Sequence, residues 1–231
     1  MTQTAKGAAV QGTINVNSAV GFYVGTWAST IDGRGRTPAL TGYGTEEVDL
    51  YGGYTKTYHG VGIDAGLLYY YYANHVEGLN TDFFEPYASL SYTIGPVAAK
   101  AGANYAWAGQ AGLRGLDTRY SSARAKDNIY TYGEASLGVP KTPVTLKGHV
   151  GYSKGALGAL NQNARDDSYL DWSGTAEAVG GPFKVGVSYV DTDISEARGI
   201  YTVGNQQARS GRFADVYGRG KTVLGYVGLS F

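Results

Sequence analysis

Residues 222–231 read Thr-Val-Leu-Gly-Tyr-Val-Gly-Leu-Ser-Phe. Successive side chains of a β-strand point to opposite faces, so one face of this segment carries Val223, Val227, Leu229 and Phe231. Alternation that ends on an aromatic residue is typical of the closing strand of an outer-membrane β-barrel. Because the same alternation recurs upstream, the sequence predicts an all-β protein: an antiparallel transmembrane β-barrel that forms a single domain over residues 1–231.

Composition agrees with a membrane protein that has no hydrophobic helix. Apolar residues make up 43% of the chain, yet no stretch approaches the roughly 18 uninterrupted apolar residues that a spanning helix needs. Without such a helix, only a closed barrel satisfies every backbone polar group in lipid. The 36 glycines suit crowded barrel walls, and the 21 tyrosines suit interfacial girdles. The absence of cysteine excludes disulfides, and the net charge of zero argues against a nucleic-acid partner.

Eleven segments carry the strand pattern. They cover roughly 9–17, 20–31, 45–57, 60–73, 82–94, 97–108, 128–139, 144–154, 168–178, 183–192 and 219–231. Short connections, several with proline, alternate strictly with long ones at 32–44, 74–81, 109–127, 155–167 and 193–218. Outer-membrane barrels have short periplasmic turns and long outer loops, whereas a soluble sandwich has no reason to segregate its loops in this way.

Strand parity raises a second expectation. With eleven strands the first and the last run in the same direction, whereas bacterial single-chain barrels normally have an even number of strands. We therefore expect a twelve-stranded parent, with one more strand ahead of Met1.

In the segment 20–31 the faces are ambiguous, because Phe22 and Val24 compete with Tyr23 and Trp27 for the lipid side.

Three segments resemble one protein family. They are Gly-Phe-Tyr-Val-Gly-Thr-Trp-Ala-Ser at 21–29, Glu-Val-Asp-Leu-Tyr-Gly-Gly-Tyr at 47–54 and Leu-Leu-Tyr-Tyr-Tyr-Tyr at 67–72. These stretches resemble the TorF-like (Gcw_chp) family of bacterial proteins, and Val-Asp-Thr-Asp-Ile at 190–194 looks like the end of that family's penultimate strand. The resemblance implies an exported, porin-like outer-membrane barrel of largely unknown function, with no catalytic residues to carry over. Family members usually have an earlier strand with a Tyr…Phe-Arg-Gly signature, which this chain lacks.

Alternation also assigns charged and polar side chains to the lumen. The predicted lumen residues are Glu47, Asp49, Asp64, Glu85, Lys100, Asn104, Glu134, Lys147, His149, Asp171, Glu177 and Lys184. The three lysines lie near short turns, whereas Glu47, Glu85 and Asp171 lie towards the outer mouth. In an open pore, the excess of carboxylates favours cations. Alternatively, the acids and bases pair and fill the lumen, since small barrels are packed inside.

Arginine is confined to the long loops and their edges. The outer-loop basic residues are Arg34, Arg36, Arg114, Arg119, Arg124, Arg165, Arg209 and Arg212, with Arg198 and Arg219 nearby. Because arginine binds phosphate in a bidentate manner, this pattern fits contact with lipopolysaccharide or a basic vestibule for anionic solutes. Ordinary solvated loop charge, offset by neighbouring aspartates, is the alternative.

Catalysis has weak support in the sequence. A nucleophilic hydroxyl needs an adjacent base, but His59, His75 and His149 are followed two residues later by Val, Glu and Gly rather than Ser. His75 with Glu77 is at most a polar pair at a loop base. The acidic pairs 166–167 and 191/193 fit solvated loop acids better than a calcium site. We therefore expect no enzyme activity, no cofactor and no metal site.

The expected function is passive diffusion of small solutes across the bacterial outer membrane. The rival interpretation is a non-conducting structural barrel with a filled lumen that binds lipid or a partner. The expected partners are outer-membrane lipid, lipopolysaccharide and small solutes. Tyrosine-rich outer walls are compatible with lipid contact and with a homo-oligomer alike.

Overall fold

The structure is a computed structural model that describes residues 7–33, 42–78, 80–116, 126–158, 168–194, 198–203, 207–212 and 219–230. Eleven strands form one antiparallel sheet in chain order, from β1 to β10 and then β13. They are β1 (Gln11–Asn17), β2 (Phe22–Gly33), β3 (Gly44–Tyr58), β4 (Val61–Ala73), β5 (Phe83–Ile94), β6 (Val97–Ala106), β7 (Asn128–Gly138), β8 (Val144–Gly155), β9 (Ser168–Gly180), β10 (Phe183–Thr192) and β13 (Thr222–Leu229).

The predicted all-β architecture of eleven antiparallel strands is confirmed. The expected strand bounds differ from the observed ones by up to three residues, as where 219–231 becomes Thr222–Leu229. At the other end of the chain, the predicted strand 9–17 begins at Gln11, although Val10 still exchanges hydrogen bonds with Thr30. The ladder leaves β1 and β13 at its two ends, and the strict alternation makes both run in the same direction.

Three long connections contain elements that the sequence did not reveal, among them a 3-10 helix at Ala156–Gly158 in the expected loop 155–167. A separate hairpin of β11 (Arg198–Val203) and β12 (Gln207–Arg212) interrupts the expected loop 193–218. A six-residue helix, α1 (Ala111–Leu116), lies in the expected loop 109–127. No helix in the described part of the chain is long and apolar enough to cross a membrane.

The short connections are tight turns at one end of the sheet, which we call the inner end. His59 and Gly60 both have positive φ, at 47° and 83°, as the favoured two-residue hairpin turn requires. The long connections all leave from the opposite end, which we call the outer end. The predicted alternation of short and long connections is therefore present.

The two faces of the sheet differ in chemistry. Phe22 and Val24 are exposed on the outside, which resolves the ambiguous segment and places Tyr23 and Trp27 on the inside. The outside is largely apolar along the last strands too, with Val185, Val187 and Val227 more than half exposed. A polypeptide with so much exposed apolar surface needs an apolar surrounding, and a lipid bilayer supplies one.

Tyrosine and glycine are paired across the inner face, which accounts for the excess of both. In the ladder register Tyr132 lies directly beside Gly102, and a Cβ built on Gly102 would be only 2.6 Å from the tyrosine ring. The same pairing recurs at Tyr51 with Gly25, Tyr23 with Gly53, Tyr87 with Gly66 and Tyr226 with Gly186. Each ring therefore lies flat over a neighbouring strand, where any larger residue would displace it.

Curvature brings distant strands together at the outer end. Arg219, just before β13, interacts electrostatically with Tyr43, which precedes β3, and with Tyr169 at the start of β9. These strands are far apart in the order of the sheet, so the sheet bends round on itself. The concave inner face is the lumen of the barrel.

Candidate functional site

The lumen face brings together all twelve predicted lumen residues. Side chains that are paired directly in a ladder share a face. Lys100 pairs with Glu134, which pairs with His149, and the same face continues through the other predicted positions. The alternating burial along each strand agrees with this assignment. Whether these residues line a conducting pore stays a prediction.

A polar network links three strands in the inner half of the lumen. Lys147 Nζ donates to Glu177 Oε1 at 2.7 Å, and the hydroxyl of Tyr226 donates to Glu177 Oε2 at 2.6 Å. Glu177 on β9 therefore connects β8 on one side with β13, two strands away on the other. Lys184 faces the same region and packs its Cε near Gly228.

His149 lies between two carboxylates. Its Nδ1 is 3.3 Å from Glu134 Oε1, and its Nε2 is 3.1 Å from Asp171 Oδ1 and 2.8 Å from the hydroxyl of Tyr130. The two acids therefore contact opposite nitrogens of the ring, which is unsuitable for binding one metal ion through all three residues. No group of three His, Asp or Glu residues in the described ranges is arranged to hold a metal.

A second group of hydrogen-bonded side chains lies on β2, β4 and β5. The Tyr23 hydroxyl donates to Asp64 Oδ1 at 2.6 Å and also contacts the Tyr87 hydroxyl. Because both rings lie flat over glycines, this contact runs along the wall and does not cross the lumen. Tyr23 was not among the predicted site residues. Its assignment to the lumen required knowing which face of β2 points inward, and the sequence left that ambiguous.

The outer half of the lumen carries buried carboxylates. Glu47 and Glu85 are 4% and 3% exposed, and Glu85 Oε2 accepts hydrogen bonds from the Tyr70 hydroxyl and the Asn104 amide, each at 3.1 Å. Asp49 Oδ1 is buried with no hydrogen-bond partner in the described part of the chain. Asp49 interacts electrostatically with both Glu47 and Glu85. The sequence could not indicate the second interaction, because Glu85 lies on a different strand from Asp49.

An apolar cluster also occupies the outer end of the lumen. Leu113 of α1 is fully buried in one apolar cluster with Tyr72, Phe83 and Ala106. These three strand residues point inward, so α1 folds over the inner surface of the wall and not over its lipid side. Aromatic side chains at this end face both ways: Tyr69, Phe84 and Trp107 stack outside, whereas Tyr70, Tyr72 and Phe83 face the lumen.

The inner half contains a cavity of about 470 Å³. Its lining includes Ser91, Lys100, Glu134, Ser136, Lys147, His149, Ser173 and Thr175. Four of these residues, Ser91, Ser136, Ser173 and Thr175, were not among the predicted site residues. Serine and threonine give no distinctive pattern in a strand, so only the register could place them together.

The loop arginines lie mostly outside the described residues. Arg34, Arg36, Arg119, Arg124 and Arg165 fall there, and only the backbone of Arg114, Arg209 and Arg212 is described. Arg198 is exposed at the start of β11. Arg219 differs from the expected solvated loop charge: it is 3% exposed, and burial lowers the pKa of its guanidinium to about 10.

His75 and the acidic residues Asp191 and Asp193 make hydrogen bonds to neighbouring backbone or side-chain groups. His75 Nδ1 is 2.9 Å from the carbonyl oxygen of Tyr72, and no hydrogen bond in the described structure joins it to Glu77. Asp191 accepts hydrogen bonds from Tyr189 and the backbone of Thr192, and Asp193 Oδ1 accepts one from the backbone of Leu170. The acidic pair at 166–167 lies outside the described residues.

Comparison with known proteins supports the family and the fold. A family described as "Bacterial protein of unknown function (Gcw_chp)" matches residues 1–217. No curated protein matches the chain. Among solved structures, the NanC porin has a TM-score of 0.61 at 12% identity, covering 96% of this chain and 93% of its own. The KdgM porin, solved in complex with disordered oligogalacturonate, has a TM-score of 0.58 at 10% identity, covering 96% and 92%. At such identities the likeness establishes the fold alone, that of an antiparallel β-barrel.

Proposed function

The chain belongs to the Gcw_chp family of bacterial proteins, and we propose that it forms a channel for passive diffusion of small solutes across the bacterial outer membrane. The observation that carries this proposal is the contrast between the two faces of the sheet. Twelve ionisable or amide side chains face the inside, and the outside is largely apolar. Inward tyrosines lie flat over glycines, which keeps their rings close to the wall.

The proposed mechanism needs no cofactor and no chemical step. Charged and hydroxyl groups on the wall partly replace the water that a solute loses when it enters a narrow pore. The inner half of the lumen supplies these groups around the 470 Å³ cavity. The outer half is narrowed by α1, whose Leu113 packs against inward-facing residues of the wall. Solute size is therefore selected mainly at the outer end.

Single-channel recording tests the proposal. Purified protein is added to planar lipid bilayers in potassium chloride, and current is followed at constant voltage. A channel produces discrete, uniform current steps that scale with salt concentration. A protein that is shown to insert, by protease protection of its strands in the same bilayers, yet gives no steps would contradict the proposal.

A second candidate function is favoured by the apolar cluster. Leu113, Tyr43 and Phe83 are all nearly or completely buried, which is the packing expected of a lumen filled at its outer end. On this alternative the barrel is a structural or interaction protein that conducts nothing and binds lipid or a partner. Insertion without current steps, combined with retention of lipid through purification, would favour it over the channel.

The proposed partners follow from the outer surface. Tyr69, Phe84 and Trp107 stack at the outer end, and Phe22 packs on Tyr54 at the inner end, as expected for two interfacial girdles in outer-membrane lipid. Exposed Arg198 supports contact with the phosphate groups of lipopolysaccharide. Because the KdgM porin was solved with oligogalacturonate, sugars are a suitable first group of solutes to test.

A further inference from the structure

The cavity in the inner half of the lumen contains hydrogen-bond donors that have no acceptor among the described residues. We propose that it is a binding subsite for a hydroxylated solute that carries one oxyanion, either a carboxylate or a phosphate. The proposal rests on the proposed channel function, because the solute reaches the cavity through the lumen. The subsite would give the channel a preferred chemical class of solute, and Lys100 would be the residue that recognises the oxyanion of that solute.

Lys100 is the central group of this subsite. Its ammonium has no carboxylate within 4 Å in the described part of the chain, and its Nζ lies over the Tyr132 ring, 5.6 Å from the ring centroid. Lys147, by contrast, is already paired with Glu177 at 2.7 Å. Lys100 is therefore free to form a charge-assisted hydrogen bond with an incoming oxyanion.

Three hydroxyls on the cavity wall are also available. Ser91, Ser136 and Ser173 line the cavity, and their hydroxyls make no hydrogen bond to another described residue. The hydroxyl of Thr175 differs, since it contacts that of Ser188 at 2.6 Å. A serine hydroxyl both donates and accepts, so it suits the hydroxyl groups of a solute as well as its oxyanion.

The carboxylates that face this region already accept hydrogen bonds from the protein. Glu177 accepts from Lys147 and Tyr226, and Asp64 accepts from Tyr23 at 2.6 Å. Glu134 and Asp171 both contact His149, at 3.3 and 3.1 Å. Their charge is thus partly offset by donors on the wall, whereas the donors of Lys100 and the serines point to no internal acceptor.

The position of the cavity separates it from the acidic outer half. Glu47, Asp49 and Glu85 lie near the outer ends of β3 and β5, whereas Lys100 is three residues from the inner end of β6. An oxyanion is therefore more stable in the inner half than in the outer half. The volume of about 470 Å³ falls in the range of ordinary small-molecule pockets and has room for one sugar-sized solute with water.

The test compares three probes of similar size: glucose, glucuronate and glucose 6-phosphate. Each is titrated into single-channel recordings at low salt, and the concentration that halves the current is measured. The wild-type protein should be blocked by both anions at lower concentrations than by glucose. In Lys100→Gln the half-blocking concentration of the anions should rise about fivefold, with little change for glucose, because the lysine is partly exposed and its bond is weakened by solvent.

Lys141→Gln is the matched control, since Lys141 lies in an exposed turn at the inner end and does not line the cavity. It should change the half-blocking concentrations by less than about twofold. Equal block by glucose and the anions in the wild-type protein, or equal effects of the two lysine variants, would overturn the subsite. A difference between glucuronate and glucose 6-phosphate identifies the preferred oxyanion.

Failure of the channel itself gives a different signature. If the wild-type protein shows no current steps without sugar, the proposed diffusion function is wrong. Binding to the cavity is then measured by saturation-transfer NMR on the detergent-solubilised barrel, with the same three probes and the same two variants. Loss of the anion signal in Lys100→Gln alone supports the subsite, and an unchanged signal overturns it.

Discussion

At the scale of single residues, the paired tyrosines and glycines explain a composition that the sequence shows but cannot interpret. The excess of both residue types predicted barrel walls and interfacial girdles. It did not predict that Tyr132 lies over Gly102, because that contact depends on the register between β6 and β7. Alternation alone predicts which side chains share a face of the sheet, whereas their hydrogen-bond partners depend on the register between strands.

Gly102→Ala tests this pairing. The added methyl group would lie 2.6 Å from the Tyr132 ring, so the ring must leave the wall and tilt into the lumen. We expect a loss of about 1–3 kcal/mol in the free energy of unfolding, as for other overpacked sites. We also expect a smaller single-channel current. Thermal unfolding in detergent and bilayer recording measure the two effects.

Gly174→Ala is the matched control, because a Cβ at Gly174 meets no atom within 4 Å. It should leave both measurements close to those of the wild-type protein. A Gly102→Ala protein that also behaves like the wild type would show that the tyrosine ring is not held against the wall.

At the scale of secondary-structure elements, the sequence predicted the long strands well and the short elements poorly. A strand such as β8 repeats its alternation over twelve residues, so its pattern is visible without any tertiary information. Helix α1 has six residues, two of them glycine, and the packing of its Leu113 is tertiary. Neither periodicity nor helix propensity could identify it.

Leu113→Asn tests whether α1 narrows the outer end. An amide buried without a partner costs about 1–3 kcal/mol, which a helix of this length cannot offset. The helix should therefore leave the wall, and the single-channel current should increase. Ala111→Asn, on the exposed first residue of α1, should leave the current unchanged. Equal currents in all three proteins would show that the constriction lies elsewhere.

Strand β13 offers a separate prediction. It is paired in the ladder with β10, and the bond from Tyr226 to Glu177 adds a second link, to β9. Removing the hydroxyl in Tyr226→Phe should lower the free energy of unfolding by about 0.5–1.5 kcal/mol. Heat-modifiable migration in detergent gels reports the loss as a lower unfolding temperature. Tyr92→Phe, on the lipid-facing side near the inner end of β5, should have no such effect, because its hydroxyl makes no hydrogen bond to another described residue.

At the scale of the whole molecule, the fold class could be predicted because successive residues of a barrel strand alternate between apolar side chains that face lipid and polar side chains that face the lumen. The segregation of short and long connections supplied the orientation. Closure and the packing inside the lumen could not be predicted. They depend on contacts such as those of Arg219 with Tyr43 and Tyr169, which join segments far apart in the chain.

Cysteine accessibility along β8 tests the central claim, that alternate residues face lipid and a watery lumen. The chain has no cysteine, so each single substitution gives one reactive thiol. In reconstituted vesicles, cysteines replacing Thr145 and Lys147 should react with a water-soluble maleimide about tenfold faster than those replacing Leu146 and Val150, because the reactive thiolate forms only in water. Uniform labelling of the four positions, or faster labelling of the outward pair, would contradict the account.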